Sequence, residues 1–387
     1  MNRKIFATLL LILPVRGSTD ALPSPGQWKN GPLSSSNYFP IAVWLQDPKN
    51  APRYKTAGFN LFVGLWEGPT EAQLAALNAA QMPVICEQNA VGLRHKTDPI
   101  IAGWMHGDEP DNAQEIPGGK GYGPPITPQK IVADYARLKA ADPTRPIMLN
   151  LGQGVAWDRY YGRGVRSNHP EDYPEYVRGG DIISFDIYPA VHESPEVAGK
   201  LWFVPQGVSR LRQWSHDEKI IWNCIECTRI GNTKIKPSPA QVRTEVWMSL
   251  IHGSRGLIYF VHQFKPRFIE AGLLADDEMT RAVTAINRQI IELAPVLNSP
   301  TLPDAVTMQS ANAAVPIASM VKRCGGATWL FIVAMRAGAT TATFTLKAAT
   351  GVAHADVLGE SRQIEIRGGK FQDTFQPYAV HLYRLAP

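Results

Sequence analysis

Cysteine is scarce in this 387-residue chain, with four in all. That is too few for the disulfide frameworks that hold small secreted domains together. Cys224 and Cys227 have the spacing of a redox pair, but they sit inside an apolar strand-like run rather than at a strand-to-helix turn, so buried free thiols are the preferred reading. No set of Cys and His stands at metal-ligand spacing, and neither a metal nor an organic cofactor is expected. Charge is sparse as well, at 19% of residues with a formal net of +5, and no basic run alternates with aromatics. Nucleic acid is therefore not an expected partner. No glycine-rich loop follows the first candidate strand, which argues against a doubly wound dinucleotide-binding sheet. Internal repeats and low-complexity linkers are also lacking.

What the chain does have is core. Hydrophobic residues make up 44%, and ten Trp and twelve Tyr supply many flat apolar faces, enough for one large domain with a small companion. Arg3 and Lys4 precede an apolar stretch, residues 5–15, that is too short to span a bilayer, and small or polar residues follow it up to Ala21. This is the form of a secretory signal. Export to the periplasm or the medium is expected, with residues 22–37 as an extended lead-in. With no Cys near the expected cleavage point, no membrane anchor is expected after processing; oligomeric state is left open.

From residue 38 to about 298, short apolar runs alternate with amphipathic stretches. Candidate strands cover 39–46, 59–65, 83–88, 100–107, 147–151, 181–188, 220–225 and 256–264. Candidate helices cover 71–80, 128–141, 201–215, 239–252 and 277–293. Eight strands alternating with helices over this length predict a (β/α)8 barrel. Beyond residue 298, short runs rich in β-branched residues and punctuated by Gly and Pro predict an antiparallel β-sandwich of six to eight strands over 299–387.

In a barrel, chemistry comes from the C-terminal strand ends. The fourth strand ends in Asp108-Glu109-Pro110, and the seventh, running through Trp222, ends in Glu226. Two glutamates on opposite walls of one barrel mouth have the makings of a glycosidase. A retaining enzyme holds its carboxyls roughly 5–5.5 Å apart and an inverting one roughly 6.5–9.5 Å. Strand positions favour the closer spacing.

On these residues the chain resembles the clan A glycoside hydrolases, retaining enzymes with an acid/base Glu ending strand four, usually in Asn-Glu-Pro, and a nucleophile Glu ending strand seven. The resemblance implies Glu109 as acid/base, Glu226 as nucleophile, a β-linked oligo- or polysaccharide as substrate, and a C-terminal sandwich of the kind common in the clan. Asp108 stands where the clan has Asn, so its contact to substrate differs: an ionised Asp only accepts hydrogen bonds. Trp44, Glu87, Asp108, Asn150, Asp186, Tyr188, Trp222, His262 and Phe264, at or near strand ends, are the candidate substrate contacts. By strand alternation His106 points away from Glu109 and is read as a structural hydrogen-bonder. Loops 112–125 and 157–174 are placed to wall the cleft. Two rival readings stay open: a non-catalytic carbohydrate-binding barrel of the cell envelope, and an inverting glycosidase in which Glu109 works with another base such as Asp186.

Overall fold

The computed structural model describes residues 28–32, 35–347 and 353–385; the expected signal segment and half of the lead-in lie outside them. The first sheet is entirely parallel: β1 (Ile41–Trp44), β2 (Leu61–Val63), β3 (Val84–Glu87), β4 (Ile101–Met105), β5 (Ile147–Leu151), β6 (Ile182–Phe185), β7 (Ile220–Ile221), β8 (Asn223–Glu226) and β9 (Leu257–Phe260). β7 pairs with β6, while β8 pairs with β9, which returns to β1. β7 and β8 are thus two halves of one strand interrupted at Trp222, and the sheet closes as an eight-position barrel. The structure fits the predicted barrel, and every candidate strand contains an observed one.

Strand residues read as continuous apolar runs because both faces are buried. Ala42, Leu61, Ile85, Met148, Ile182, Cys224 and Ile258 fill the interior, while Ile41, Phe62, Val84, Leu149, Ile183 and Ile225 pack outward on the helices. Local chemistry sets the helix starts. Thr70 and Gln73 form a capping box on α2 (Glu71–Ala80), Thr127 caps α4 (Pro128–Ala141), and Ser238 with Gln241 boxes α7 (Pro239–Ile251). A cap of this kind contributes about 1 kcal/mol.

The C-terminal unit is an antiparallel sandwich. One sheet orders β10 (Val306–Ser310), β13 (Thr340–Leu346) and β16 (Lys370–Phe375). The other orders β11 (Ile317–Cys324), β12 (Ala327–Ala334), β17 (Val380–Leu385), β14 (His354–Val357) and β15 (Arg362–Glu365). It docks on α7. Trp247 stacks on Phe331 with ring centroids 5.2 Å apart, Arg243 donates to the Val380 carbonyl at 3.1 Å, and Thr244 donates to the Tyr378 carbonyl at 2.9 Å. Tyr378 reaches further, donating to the Gly199 carbonyl in the loop that follows β6.

Candidate functional site

The chain after β4 turns sharply. Glu109 adopts φ +43°, a left-handed conformation that a side chain with a Cβ takes at a cost of roughly 1–3 kcal/mol. Its amide donates to the Asn150 carbonyl on β5 (3.2 Å), its carbonyl accepts from the Asn112 amide (3.0 Å), and its Oε2 accepts from Asn112 Nδ2 (2.7 Å). These bonds hold the turn and aim the carboxyl across the barrel mouth to Asp186, one residue beyond β6. The two carboxyls lie close enough to shift one another, Asp186 also lies beside the Tyr188 hydroxyl, and Asp186 Oδ1 is buried with no hydrogen-bond partner among the described residues. Both remain partly accessible to solvent.

Two more carboxyls crowd this pair. Asp108, at the exposed rim, accepts from Asn150 Nδ2 at 2.9 Å, and Asn150 Oδ1 accepts from Ser184 at 2.6 Å. Asp111 is fully buried and accepts from the Gly152 amide and the Tyr173 hydroxyl, both at 2.8 Å. Desolvation of the Asp108 carboxyl where it meets Asn150, and then repulsion from Asp186 and Asp111, push it up to about 7. Burial first, and then the Asp186 charge, lift Glu109 well above the usual carboxylate range. Asp186 is raised by burial too, but Glu109 and Tyr188 beside it work in the opposite direction. The pair therefore divides one proton unequally: Glu109 carries it and Asp186 is the anion.

The seventh-strand glutamate is placed differently from the expectation. Glu226 has no solvent exposure, and its oxygens accept from the backbone amides of Ala190 (2.6 Å) and Val191 (3.0 Å). Its remaining partner is Glu245, equally buried in the middle of α7. Burial raises Glu226 to about 7, and burial followed by the neighbouring Glu226 charge raises Glu245 well above the ordinary range, so Glu245 is the one that keeps its proton. The structure does not bring Glu226 into the Glu109 cluster. Fully buried and with both oxygens tied to a loop, it presents no accessible face to a sugar. It holds the 187–191 segment that directly follows Asp186.

The other expected contacts divide. Asp108, Asn150, Asp186 and Tyr188 gather around Glu109. Glu87 is exposed beside Asp108 on a cavity of about 310 Å³. His262 lines a second cavity, of about 570 Å³, and Phe264 stacks on it with centroids 6.1 Å apart. Trp44 and Trp222 are corrected: both belong to the barrel interior, and the Trp222 ring fills the space against Gly256, where a Cβ would come within 2.4 Å of it. His106 donates or accepts at the Gly179 carbonyl (2.7 Å), away from the carboxyls, as alternation implied. From loop 157–174, Tyr160 comes near enough to Glu109 and Asp186 for their charges to raise its phenol further. Asp111, Glu245 and Glu270 were not singled out from the sequence. For Asp111 the signal was there, a third carboxylate in the run from Asp108. For Glu245 it was a lone charge amid Val246, Trp247 and Leu250.

No protein-family model matches the chain, and no curated protein matches it in sequence. Solved structures do match. AmyP in complex with maltose superposes with a TM-score of 0.54 at 8% identity, over 91% of this chain and 97% of AmyP. A proposed α-galactosidase from Bacteroides fragilis gives 0.56 at 9% identity, over 91% of this chain and 80% of its own. A proposed α-galactosidase/melibiase from the same organism gives 0.55 at 9%, over 90% and 79%. This chain shares their fold. At such identities the likeness extends to the barrel and its appended β domain, and the side chains at the mouth carry the rest of the argument.

Proposed function

We propose that the protein is an exported glycoside hydrolase acting on an oligo- or polysaccharide, with Glu109 as the acid/base and Asp186 as the nucleophile. The observation that carries this is the nearness of Glu109 and Asp186, two carboxyls partly reachable from solvent at the C-terminal mouth of a barrel, in surroundings that favour the proton on Glu109. Neighbouring barrels of the same fold, AmyP with its maltose among them, support carbohydrate as the substrate class. The Asp-Glu-Pro resemblance at strand four supports β-linkages, and the Arg3/Lys4-led apolar segment supports export.

The chemistry follows from the protonation states. Substrate entering between the carboxyls separates them. Glu109 gives its proton to the glycosidic oxygen as the bond to the anomeric carbon breaks, and Asp186 Oδ forms a covalent bond to that carbon. Glu109, now ionised, takes a proton from water, whose oxygen displaces Asp186 and restores both groups. Positive charge building on the sugar in each transition state is met by the Asp186 carboxylate.

The test uses α- and β-linked aryl glycosides with good and poor leaving groups. Asp186→Asn is expected to abolish turnover of all of them. Glu109→Gln is expected to slow poor leaving groups by about 10²–10⁴-fold and to spare good ones. NMR of the first-released anomer is expected to show retention. Full activity in Asp186→Asn, or sugar binding without turnover by the wild type, overturns the reading.

A further inference from the structure

A line of aromatic rings leads away from the carboxyl pair. Tyr188, beside Asp186, lies 5.3 Å from Phe260 at the end of β9; Phe260 lies 5.2 Å from His262; and His262 lies 6.2 Å from Phe268. The line ends at the cavity of about 570 Å³ between the loops after β1, β2 and β9. Its outer wall is Trp66, 71% exposed, and Phe268, 62% exposed, with Phe264, 48% exposed, against Phe268. Its floor is polar and fixed. Gln46 donates to the Glu270 carbonyl (3.0 Å), accepts from the Tyr54 hydroxyl (2.6 Å), and pairs with His262 Nε2 (3.1 Å). Glu270 uses one carboxylate oxygen on the Asp47 amide.

We infer that this cavity and the ring line form a distal binding site for a hydroxyl-rich chain, so that several consecutive pyranose rings are held between the carboxyl pair and the Trp66/Phe268 wall. Aromatic faces match the C–H faces of sugar rings, and the amide, imidazole and carboxylate on the floor match their hydroxyls. Exposed aromatics cluster here over a polar floor, where an isolated core would have buried them. Tyr188 and His262 are buried and Phe260 partly so, so these rings are the packed support that joins the Asp186 end to the exposed wall. The inference deepens the glycosidase reading and rests on it for the identity of the near end, while the distal site is tested by binding alone.

The experiment compares the full-length wild type with Trp66→Ala and Phe268→Ala. Probes are maltohexaose, cellohexaose and xylohexaose, with the matching one-ring aryl glycosides as short controls, read by calorimetric binding and by kcat/KM. The result expected is at least one hexaose binding to wild type, tenfold or more weaker binding of that hexaose to each variant, with KM raised and kcat kept, and unchanged turnover of the one-ring substrates. Binding of a hexaose that weakens in the variants supports the distal site even where no turnover occurs, and that outcome removes the hydrolase reading alone. Hexaose affinity unchanged in both variants, or no hexaose binding by wild type, overturns the distal site. So does a wild-type dimer that Trp66→Ala converts to monomer, since the wall would then be a contact between copies.

Discussion

Glu245 of α7 and Glu226 of β8 meet carboxyl to carboxyl where neither reaches solvent, and Glu226 uses its own oxygens to hold the amides of Ala190 and Val191. The segment so held begins one residue after Asp186. A helix on the outside of the barrel thereby fixes the position of a carboxylate at its mouth.

Such a pair makes stability depend on pH in a stated direction. Both folded-state values are raised, Glu226 to about 7, above the roughly 4.3 of an unfolded glutamate. The folded state holds more protons than the unfolded one, so this contribution is fully present at low pH and is lost as pH rises from about 4.3 through 7 and beyond. The titratable group that feels both members of the pair is the buried Cys227 thiol, next in sequence to Glu226. Glu245→Gln keeps a donor to Glu226 and removes the titration. Its melting temperature is expected to vary less between pH 5 and 9 than that of the wild type, with a difference on the order of a few °C. Parallel pH profiles in scanning calorimetry would show that the shared proton contributes nothing.

The pH–rate profile should report the other pair. Activity requires Asp186 ionised and Glu109 protonated, so kcat/KM is expected to rise as the first loses its proton and to fall as the second does. Because burial raises both, the whole bell lies above the ordinary carboxylate range of roughly 4. Asp108→Asn removes one of the charges that lift Glu109, and its alkaline limb is expected at lower pH than in the wild type. An unmoved limb in the variant would detach Asp108 from the acid.

The left-handed turn at Glu109 can be weighed separately from its carboxyl. Glu109→Gly and Glu109→Ala both lack the acid, but only glycine accepts φ +43° without strain. Chemical denaturation is expected to find the glycine variant more stable than the alanine variant by about 1 kcal/mol, the reverse of the usual order. Equal stabilities would mean that the turn relaxes once the side chain is gone.

The barrel was legible in the sequence because a closed parallel sheet buries both faces of each strand and leaves unbroken apolar runs such as Ile147–Leu151 and Leu257–Phe260. In the sandwich, β10 and β16 escaped notice: Val306–Ser310 and Lys370–Phe375 alternate with Thr, Gln, Lys and Asp on a wet face, and a strand polar at every second position reads like a loop. Asp108, Glu109, Asp186 and Tyr188 were readable from their strand ends. The place of Glu226 was not, because it depends on Glu245, 19 positions onward on another element, and strand-end position does not reveal whether a carboxylate faces a ligand or a backbone. Trp222 misled for a related reason: its aromatic ring suits a sugar platform equally well, and only the bare Cα of Gly256 opposite shows that the ring is packing.

The junction between the two units should be cooperative. Phe331 has no exposure and stacks at 14° on Trp247. Phe331→Ala leaves a void there and is expected to cost about 3–5 kcal/mol, lowering the melting temperature by roughly 5–10 °C. A melting curve superimposable on that of the wild type would show the two units to be energetically independent.

α7 is a shared beam: one side takes the weight of the sandwich at Trp247, and the other carries Glu245. Severing the last ninety or so residues to obtain a smaller catalyst would therefore strip support from the hinge beside Asp186, and the trimmed barrel would lose turnover before it lost its shape.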